Sequence, residues 1–154
     1  MIRRAMTLVE LLMVLAIISV VATLAVPRFA QAQQRYRAQA AARQIAELLR
    51  YAQSESRAHN SIEFVYFLPS WKMIFCSFDP DMYGEDYLGM YSINIEDPPF
   101  EATLKSASFQ GLPYCWFYAN GQPRFNGSVV VAVGEHEATV TINANSGRIG
   151  RAHV

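Results

Sequence analysis

A run of about 21 apolar residues near the start of the chain limits what this protein can fold into. The run extends from Met6 to Val26, ends at Pro27 and contains one charged side chain, Glu10. As an α-helix it is roughly 31 Å long, enough to cross the hydrocarbon core of a bilayer. A carboxylate at mid-membrane costs roughly 2.5–3.5 kcal/mol on insertion scales. Glu10 therefore needs either a partner or a function.

The charge of the chain is balanced overall but unevenly distributed. The 154 residues have a net charge of zero, which argues against a general nucleic-acid binder and leaves local patches open. Between Arg28 and Arg57 the chain has six arginines and two acids. Between Glu63 and Glu101 it has eight acids and one basic residue, Lys72. Beyond a membrane helix, about 125 residues remain, enough for one modest domain.

The start of the chain predicts how it crosses the membrane. Arg3 and Arg4 precede the apolar run and no acid precedes Glu10, so the positive-inside rule places the N-terminus in the cytoplasm and the rest of the chain outside. The alternative is a secretory signal peptide, cleaved near Ala30-Gln31-Ala32. The length of the run and the charge at Glu10 count against that alternative.

The segment from Arg3 to Leu12, RRAMTLVELL, resembles the leader of type IV pilins and type II secretion pseudopilins. The resemblance implies cleavage by a prepilin peptidase between Ala5 and Met6, followed by N-methylation of Met6. Glu10 then becomes the fifth mature residue, and Pro27 corresponds to the family's helix-kinking proline. Ala5 departs from the family's usual glycine and Met6 from its usual phenylalanine.

The resemblance also implies a role for Glu10 in drawing a subunit into a growing filament. Cleavage would create a positively charged amine at Met6, one helical turn from Glu10, and the two charges can neutralise each other in a membrane. The alternative is a carboxylate that snorkels to the nearby membrane interface, where its charge costs little.

The chain after Pro27 predicts a second, amphipathic helical segment. Proline removes a helical hydrogen bond, so we expect a kink or a local opening at Pro27. The following residues are rich in helix formers up to about Ser56, and His59-Asn60-Ser61 is expected to end the helix. An apolar stripe recurs at helical spacing at Ala41, Ile45, Leu48, Leu49 and Ala52, opposite Arg35, Arg43, Arg50 and Arg57.

From Ile62 onward the pattern changes to strands. The predicted strands are Glu63 to Leu68, Lys72 to Phe78, Glu101 to Ser108, Tyr114 to Tyr118, Ser128 to Val133 and Ala138 to Ile142. Asp79 to Pro99 is expected to be a long acidic loop with at most one strand, near Tyr91–Ile95. The sequence thus predicts an α+β fold in which one long N-terminal helix packs on a mostly antiparallel β domain.

The C-terminal part resembles a subgroup of the pilin-like proteins. Phe117 to Phe125, then Thr139 to Ile142, then Ser146-Gly147-Arg148-Ile149 are similar to the type II secretion protein H group of minor pseudopilins (GspH/FimT-like). Those proteins end in a Gly-Arg turn that leads to a last strand. The acidic segment from Asp79 to Pro99 matches nothing in that pattern and is interpreted as an insertion.

Motifs for other chemistry are weak. We find no phosphate loop, nucleophile elbow or His/Cys/Asp constellation, so we expect no enzymatic activity and no cofactor. The acids between Asp79 and Asp86 could offer oxygen ligands to calcium but lack EF-hand spacing, and a solvated loop is preferred. Two separate buried thiols at Cys76 and Cys115 are favoured over a disulfide, which an oxidising compartment would allow.

Nucleic-acid binding is the competing functional hypothesis. Some FimT-like pilins bind DNA through a Gly-Arg-x-Arg end, and here the end is Gly147-Arg148-Ile149-Gly150-Arg151, with one extra residue. On a regular strand Arg148 and Arg151 lie on opposite faces. A bulge at Gly150 could realign them.

The sequence therefore predicts a minor pseudopilin, a structural subunit of a type II secretion pseudopilus or a type IV pilus, with DNA uptake as the alternative. We expect an inner-membrane protein with a cytoplasmic N-terminus, in contact with lipid, other pilins and the prepilin peptidase. The predicted divisions are a leader (1–5), a membrane and filament-core helix (6–27), an amphipathic helix (28–60) and a β-rich domain (61–154). Which machine the protein serves is left open.

Overall fold

The computed structural model describes residues 8–71, 73–77 and 91–152. Within these residues, one long helix precedes eight β-strands. By its contacts the chain divides into two compact units, residues 1–34 and 35–154. The second part of the helix thus belongs to the same unit as the strands.

Helix α1 spans Leu8–Ala58. It continues through Pro27, and the kink or local opening expected there stays a prediction. The helix ends where it was expected to end: Asn60 has a φ of 50°, and the Ser61 N–H donates to the Ser56 carbonyl at 3.1 Å. A left-handed residue followed by this backward bond is the Schellman way of satisfying the last helical carbonyls.

The first sheet contains β1 (Glu63–Leu68), β2 (Met73–Ser77), β3 (Tyr91–Ile93) and β5 (Tyr114–Phe117). Its strands lie in the order β3-β2-β1-β5 and all pair antiparallel. A 3-10 turn at Pro69–Trp71 follows β1, on the way to β2.

The second sheet contains β4 (Thr103–Ser108), β6 (Gly127–Val133), β7 (His136–Asn143) and β8 (Arg148–Ala152). Its order is β4-β6-β7-β8, again antiparallel throughout. The β4–β6 register shifts between Leu104 and Ser106. Each of these strands falls within two residues of its predicted position or on the expected C-terminal strand.

The core lies between the amphipathic part of α1 and the inner faces of the strands. The predicted helical stripe is buried at every position: Ala41, Ile45, Leu48, Leu49 and Ala52. It joins alternate strand residues such as Val65, Phe67, Phe117, Val129 and Val140 in one hydrophobic cluster. The predicted α+β fold, a long helix packed on antiparallel sheets, is confirmed. Residues 78–90, which include most of the acidic insertion, lie outside the described residues.

Candidate functional site

The first unit presents an unusual apolar surface. Between Leu8 and Val26 the exposed large hydrophobic side chains include Leu8, Leu12, Met13, Leu15, Ile17, Val20 and Val26. Leaving such a side chain in water rather than burying it forgoes about 1.5–3 kcal/mol. By length and composition alone, α1 qualifies as a helix that can cross a membrane. Such a surface is compatible with burial in lipid or against other helices.

The polar residues within the apolar segment are satisfied inside the helix. Ser19 Oγ donates to the Leu15 carbonyl at 2.7 Å, and Thr23 Oγ1 donates to the Ser19 carbonyl at 2.8 Å. These are the backward bonds expected of hydroxyls on a helix. Neither hydroxyl adds an unmet polar group to the lipid-compatible surface.

Glu10 lies close to the beginning of the described part of α1 and is exposed. Ala5 and Met6 lie outside the described residues, so cleavage between them and the pairing of the Met6 amine with Glu10 stay predictions. A bend of the helix at Pro27 also stays a prediction.

The two candidate DNA-contacting arginines lie on the edge strand β8. Arg148 is exposed, and the neighbouring Ile149 carbonyl accepts a bond from Arg50 Nη2 at 3.3 Å. The β7–β8 register runs unbroken from Arg148 to Ala152. The bulge at Gly150 that would realign Arg148 with Arg151 is therefore absent.

The two cysteines are free and buried. Cys76 on β2 and Cys115 on β5 both pair with Val65, from opposite sides of β1. Two strand spacings separate them by about 9–10 Å, whereas a disulfide requires Cα atoms within about 7 Å. The disulfide that the sequence left open does not form. Burial raises the pKa of both thiols, to about 12 for Cys76.

The structure reveals a buried acid that sequence analysis passed over. Glu63 begins β1 with no accessible surface, and neither carboxylate oxygen has a hydrogen-bond partner. Burial, and secondarily the charge of Glu55, raises the pKa of Glu63 to about 8. The alternation of side chains along β1 could have revealed this burial, because Glu63 falls on the same inward-facing side of the strand as Val65 and Phe67.

A metal site has no support in the described part of the chain, where no three His, Cys, Asp or Glu side chains come together as ligands. The acids between Asp79 and Asp86, which the sequence analysis weighed for calcium, lie outside the described residues. Calcium binding at that segment remains untested.

Comparison with known proteins accounts for the N-terminus and the fold. Residues 1–26 match the prokaryotic N-terminal methylation motif. The fold is similar to that of the type IV minor pilin FimU of Pseudomonas aeruginosa, in two crystal forms. One match has a TM-score of 0.57 and 19% identity over 77% of this chain and 90% of FimU. The other has a TM-score of 0.54 and 18% identity over 74% and 91%.

The chain therefore combines a prokaryotic N-terminal methylation motif with a fold like that of a minor pilin. At 18–19% identity the structural similarity shows the fold alone. No curated protein matches the sequence significantly.

The two units of the chain carry different candidate features. The methylation motif, Glu10 and the exposed apolar surface belong to the first unit. Glu63, the two thiols and the arginines of β8 belong to the second. A functional account must therefore explain both an apolar anchor and a folded domain.

Proposed function

We propose that the protein is a structural subunit, a minor pilin or pseudopilin, of a filament of the type IV pilus or type II secretion kind. The exposed apolar surface from Leu8 to Val26 carries the proposal. A large exposed apolar surface on a folded protein marks a site that lipid or neighbouring helices cover when the protein is in its working environment. The methylation motif over residues 1–26 indicates processing of that same segment.

The proposed sequence of events starts in the inner membrane. A prepilin peptidase cuts between Ala5 and Met6 on the cytoplasmic face, and the new amine at Met6 is methylated. The helix then leaves the bilayer for a filament core, where neighbouring apolar helices replace lipid. The domain of residues 35–154 stays on the extracytoplasmic side, in agreement with the arginines that precede the helix.

N-terminal mass spectrometry of the membrane-extracted protein tests this proposal. The expected mature form begins at N-methyl-Met6 in cells with the peptidase and is absent in cells without it. Ala5→Gly should be processed at least as well as the wild type, whereas a bulky Ala5→Leu should not be processed. A mature N-terminus near Ala32 would overturn the proposal in favour of a secreted protein.

The alternative function is DNA binding at the seam between β8 and α1. The observation in its favour is that two arginine side chains, one from β8 itself and one from α1, lie at adjacent positions along β8. Arg148 is exposed there, and the Arg50 guanidinium donates to the carbonyl of the next residue, Ile149. If DNA binds there, the logarithm of the affinity falls steeply with the logarithm of salt concentration. Arg148→Ala should weaken it more than Arg151→Ala, because the regular register of β8 does not bring the two positions onto one face; Lys105→Ala on β4 is the control. An affinity that does not change with salt would eliminate this alternative.

A further inference from the structure

The outer face of the first sheet is built of aromatic rings. Val65, Phe67 and Phe117 lie in the core. Because side chains alternate along a strand, the residues next to the buried positions of this sheet face outward. These outward residues are Phe64, Tyr66, Phe75, Tyr114 and Trp116, and each stays partly exposed. A solvated sheet face normally carries polar side chains at such positions. This set of rings is called the aromatic face below.

The rings form one continuous layer across three strands. Tyr66 lies 5.1 Å from Phe75 and 5.6 Å from Tyr114, between ring centroids. Tyr114 lies 5.8 Å from Trp116, which lies 5.5 Å from Phe64. Because the register makes these residues cross-strand neighbours, their rings form one contiguous surface.

A positively charged side chain, Arg124, lies at one end of the aromatic face. The Arg124 guanidinium carbon lies 4.8 Å from the Trp116 ring centroid and 5.1 Å from that of Phe125. Arg124 Nη1 donates to the Tyr118 hydroxyl at 2.7 Å, and Arg124 remains exposed. No described strand position on this face is charged. A partner therefore needs an apolar surface with an acceptor, best a carboxylate, opposite Arg124.

The composition indicates a protein partner. Tyr, Trp, Phe and Arg are the side chains enriched in the centres of protein–protein interfaces, and charged side chains other than Arg are depleted there. A nucleic acid would require several cations along its phosphates, whereas this face offers one.

The size of the face indicates which kind of protein. Its five residues, two on β1, one on β2 and two on β5, cover an area on the order of 200 Å². A stable complex between free proteins buries about 800 Å² per partner. The face alone is too small to hold a diffusing partner, but a partner confined by its own anchor meets it at a high effective concentration. The exposed apolar helix of this chain is an anchor of that kind.

We propose that the aromatic face, with Arg124, is the lateral docking surface for the folded domain of a neighbouring anchored subunit. This inference rests on the proposed filament role. The neighbour contributes an apolar patch and places a carboxylate against the Arg124 guanidinium.

Photo-cross-linking in native membranes tests the inference on the full-length chain. A benzophenone amino acid replaces Tyr114 on the aromatic face or, as a matched control, Thr141 on the exposed outer face of the second sheet. Irradiation should give adducts with another pilin-like subunit from position 114 and at least fivefold fewer from position 141. Adducts only with lipid, adducts only with residues 78–90 of the same chain, or equal yields from both positions would overturn the inference.

Charge variants sharpen this test without touching the core. Arg124→Glu should lower the yield of adducts from position 114 at least threefold, Arg124→Lys should retain most of it, and Lys105→Glu on β4 should leave it unchanged. Unchanged yield in Arg124→Glu would count against docking at this end of the face. N-terminal mass spectrometry on the same samples separates the two proposals, since mature N-methyl-Met6 protein without the expected adducts refutes the docking surface alone.

Discussion

At the scale of single residues, Glu63 is the side chain with the clearest energetic consequence. Its carboxyl group is fully buried without a hydrogen-bond partner, so ionisation inside the fold costs free energy. Glu55, on the last turns of α1, adds a repulsive charge. The protonated form is therefore the one that the folded state favours at neutral pH.

The raised pKa of Glu63 predicts a pH-dependent stability. Its pKa is about 8 in the folded protein, against an ordinary value of 4.5, so the folded state holds more protons than the unfolded state between these values. The free energy of unfolding should fall as pH rises through this window, by on the order of a few kcal/mol. Unfolding of the full-length protein in detergent, followed from pH 5 to 9, measures this dependence.

The control for this prediction is the neutral variant Glu63→Gln. It should lose most of the pH dependence and become more stable than the wild type at pH 9, whereas Glu135→Gln, in the exposed turn before β7, should keep the wild-type profile. A Glu63→Gln profile parallel to that of the wild type would show that other groups control the dependence.

Gly121 occupies a position where a neighbouring side chain leaves no room for a Cβ atom. Its φ is +76°, and a Cβ there would lie 2.0 Å from Arg57 Nε, which donates to the Asn120 carbonyl at 3.0 Å. Gly121→Ala should therefore destabilise the protein by more than about 1 kcal/mol, through backbone strain and displacement of Arg57. Thermal unfolding measures the loss.

Gly111 provides the matched control for Gly121. Its φ is also positive, at +89°, but a Cβ there would have no neighbour within 4 Å. Gly111→Ala should cost only the backbone strain and thus less than Gly121→Ala. Truncating Arg57 to Ala should recover part of the additional loss. Equal costs for the two glycine variants would contradict a role for Arg57.

At the scale of elements, the strand order of the first sheet determines the chemistry of the thiols. Because β1 lies between β2 and β5, Cys76 and Cys115 cannot approach each other. Burial raises the pKa of both, so little thiolate, the reactive form, is present at neutral pH.

The prediction for the thiols is two free, unreactive cysteines. Protein purified without reductant should show both thiols after denaturation and should resist maleimide or iodoacetamide labelling at pH 8 while folded. Cys76→Ser then serves as a counting control, with a single thiol on denaturation. Recovery of the wild-type chain as a disulfide-bonded form, or rapid labelling of the native protein, would be inconsistent with the strand arrangement.

The helix shows which element-scale features a sequence predicts well. The stripe from Ala41 to Ala52 is buried as its spacing predicted, because every third or fourth residue shares a helix face whatever the rest of the chain does. The arginines opposite are exposed, but Arg50 and Arg57 also donate to the carbonyls of Ile149 and Asn120. Those acceptors are distant in the sequence, so periodicity alone could not reveal them.

At the scale of the whole molecule, we expect a substitution of Glu10 to change assembly with other subunits rather than folding. Glu10→Leu should leave membrane insertion and the domain of residues 35–154 intact, because the residue lies in the first unit. It should lower co-purification with partner pilins, since the proposed neutralising partner of the Met6 amine is lost. Glu10→Asp, which keeps the charge, should retain more of it. Unchanged co-purification in Glu10→Leu would leave the carboxylate without a role in assembly.

The sequence by itself determined the features that depend on local chemistry. These are the apolar run with its single acid, the amphipathic stripe, the end of the helix at Asn60 and the positions of most strands. Each depends on the order of neighbouring residues along the chain, through hydrophobic periodicity and backbone preference. The N-terminal motif belongs to the same class, since it lies within 26 consecutive residues.

The tertiary structure alone decided which distant residues meet. It buried Glu63 without a partner, separated Cys76 from Cys115 by one strand, placed Arg57 against Gly121 and joined rings from β1, β2 and β5 into one face beside Arg124. The physical reason is that strand order and register, which set these contacts, follow from packing the whole core. Alternation along one strand shows which face a residue occupies, but not which strands lie beside it.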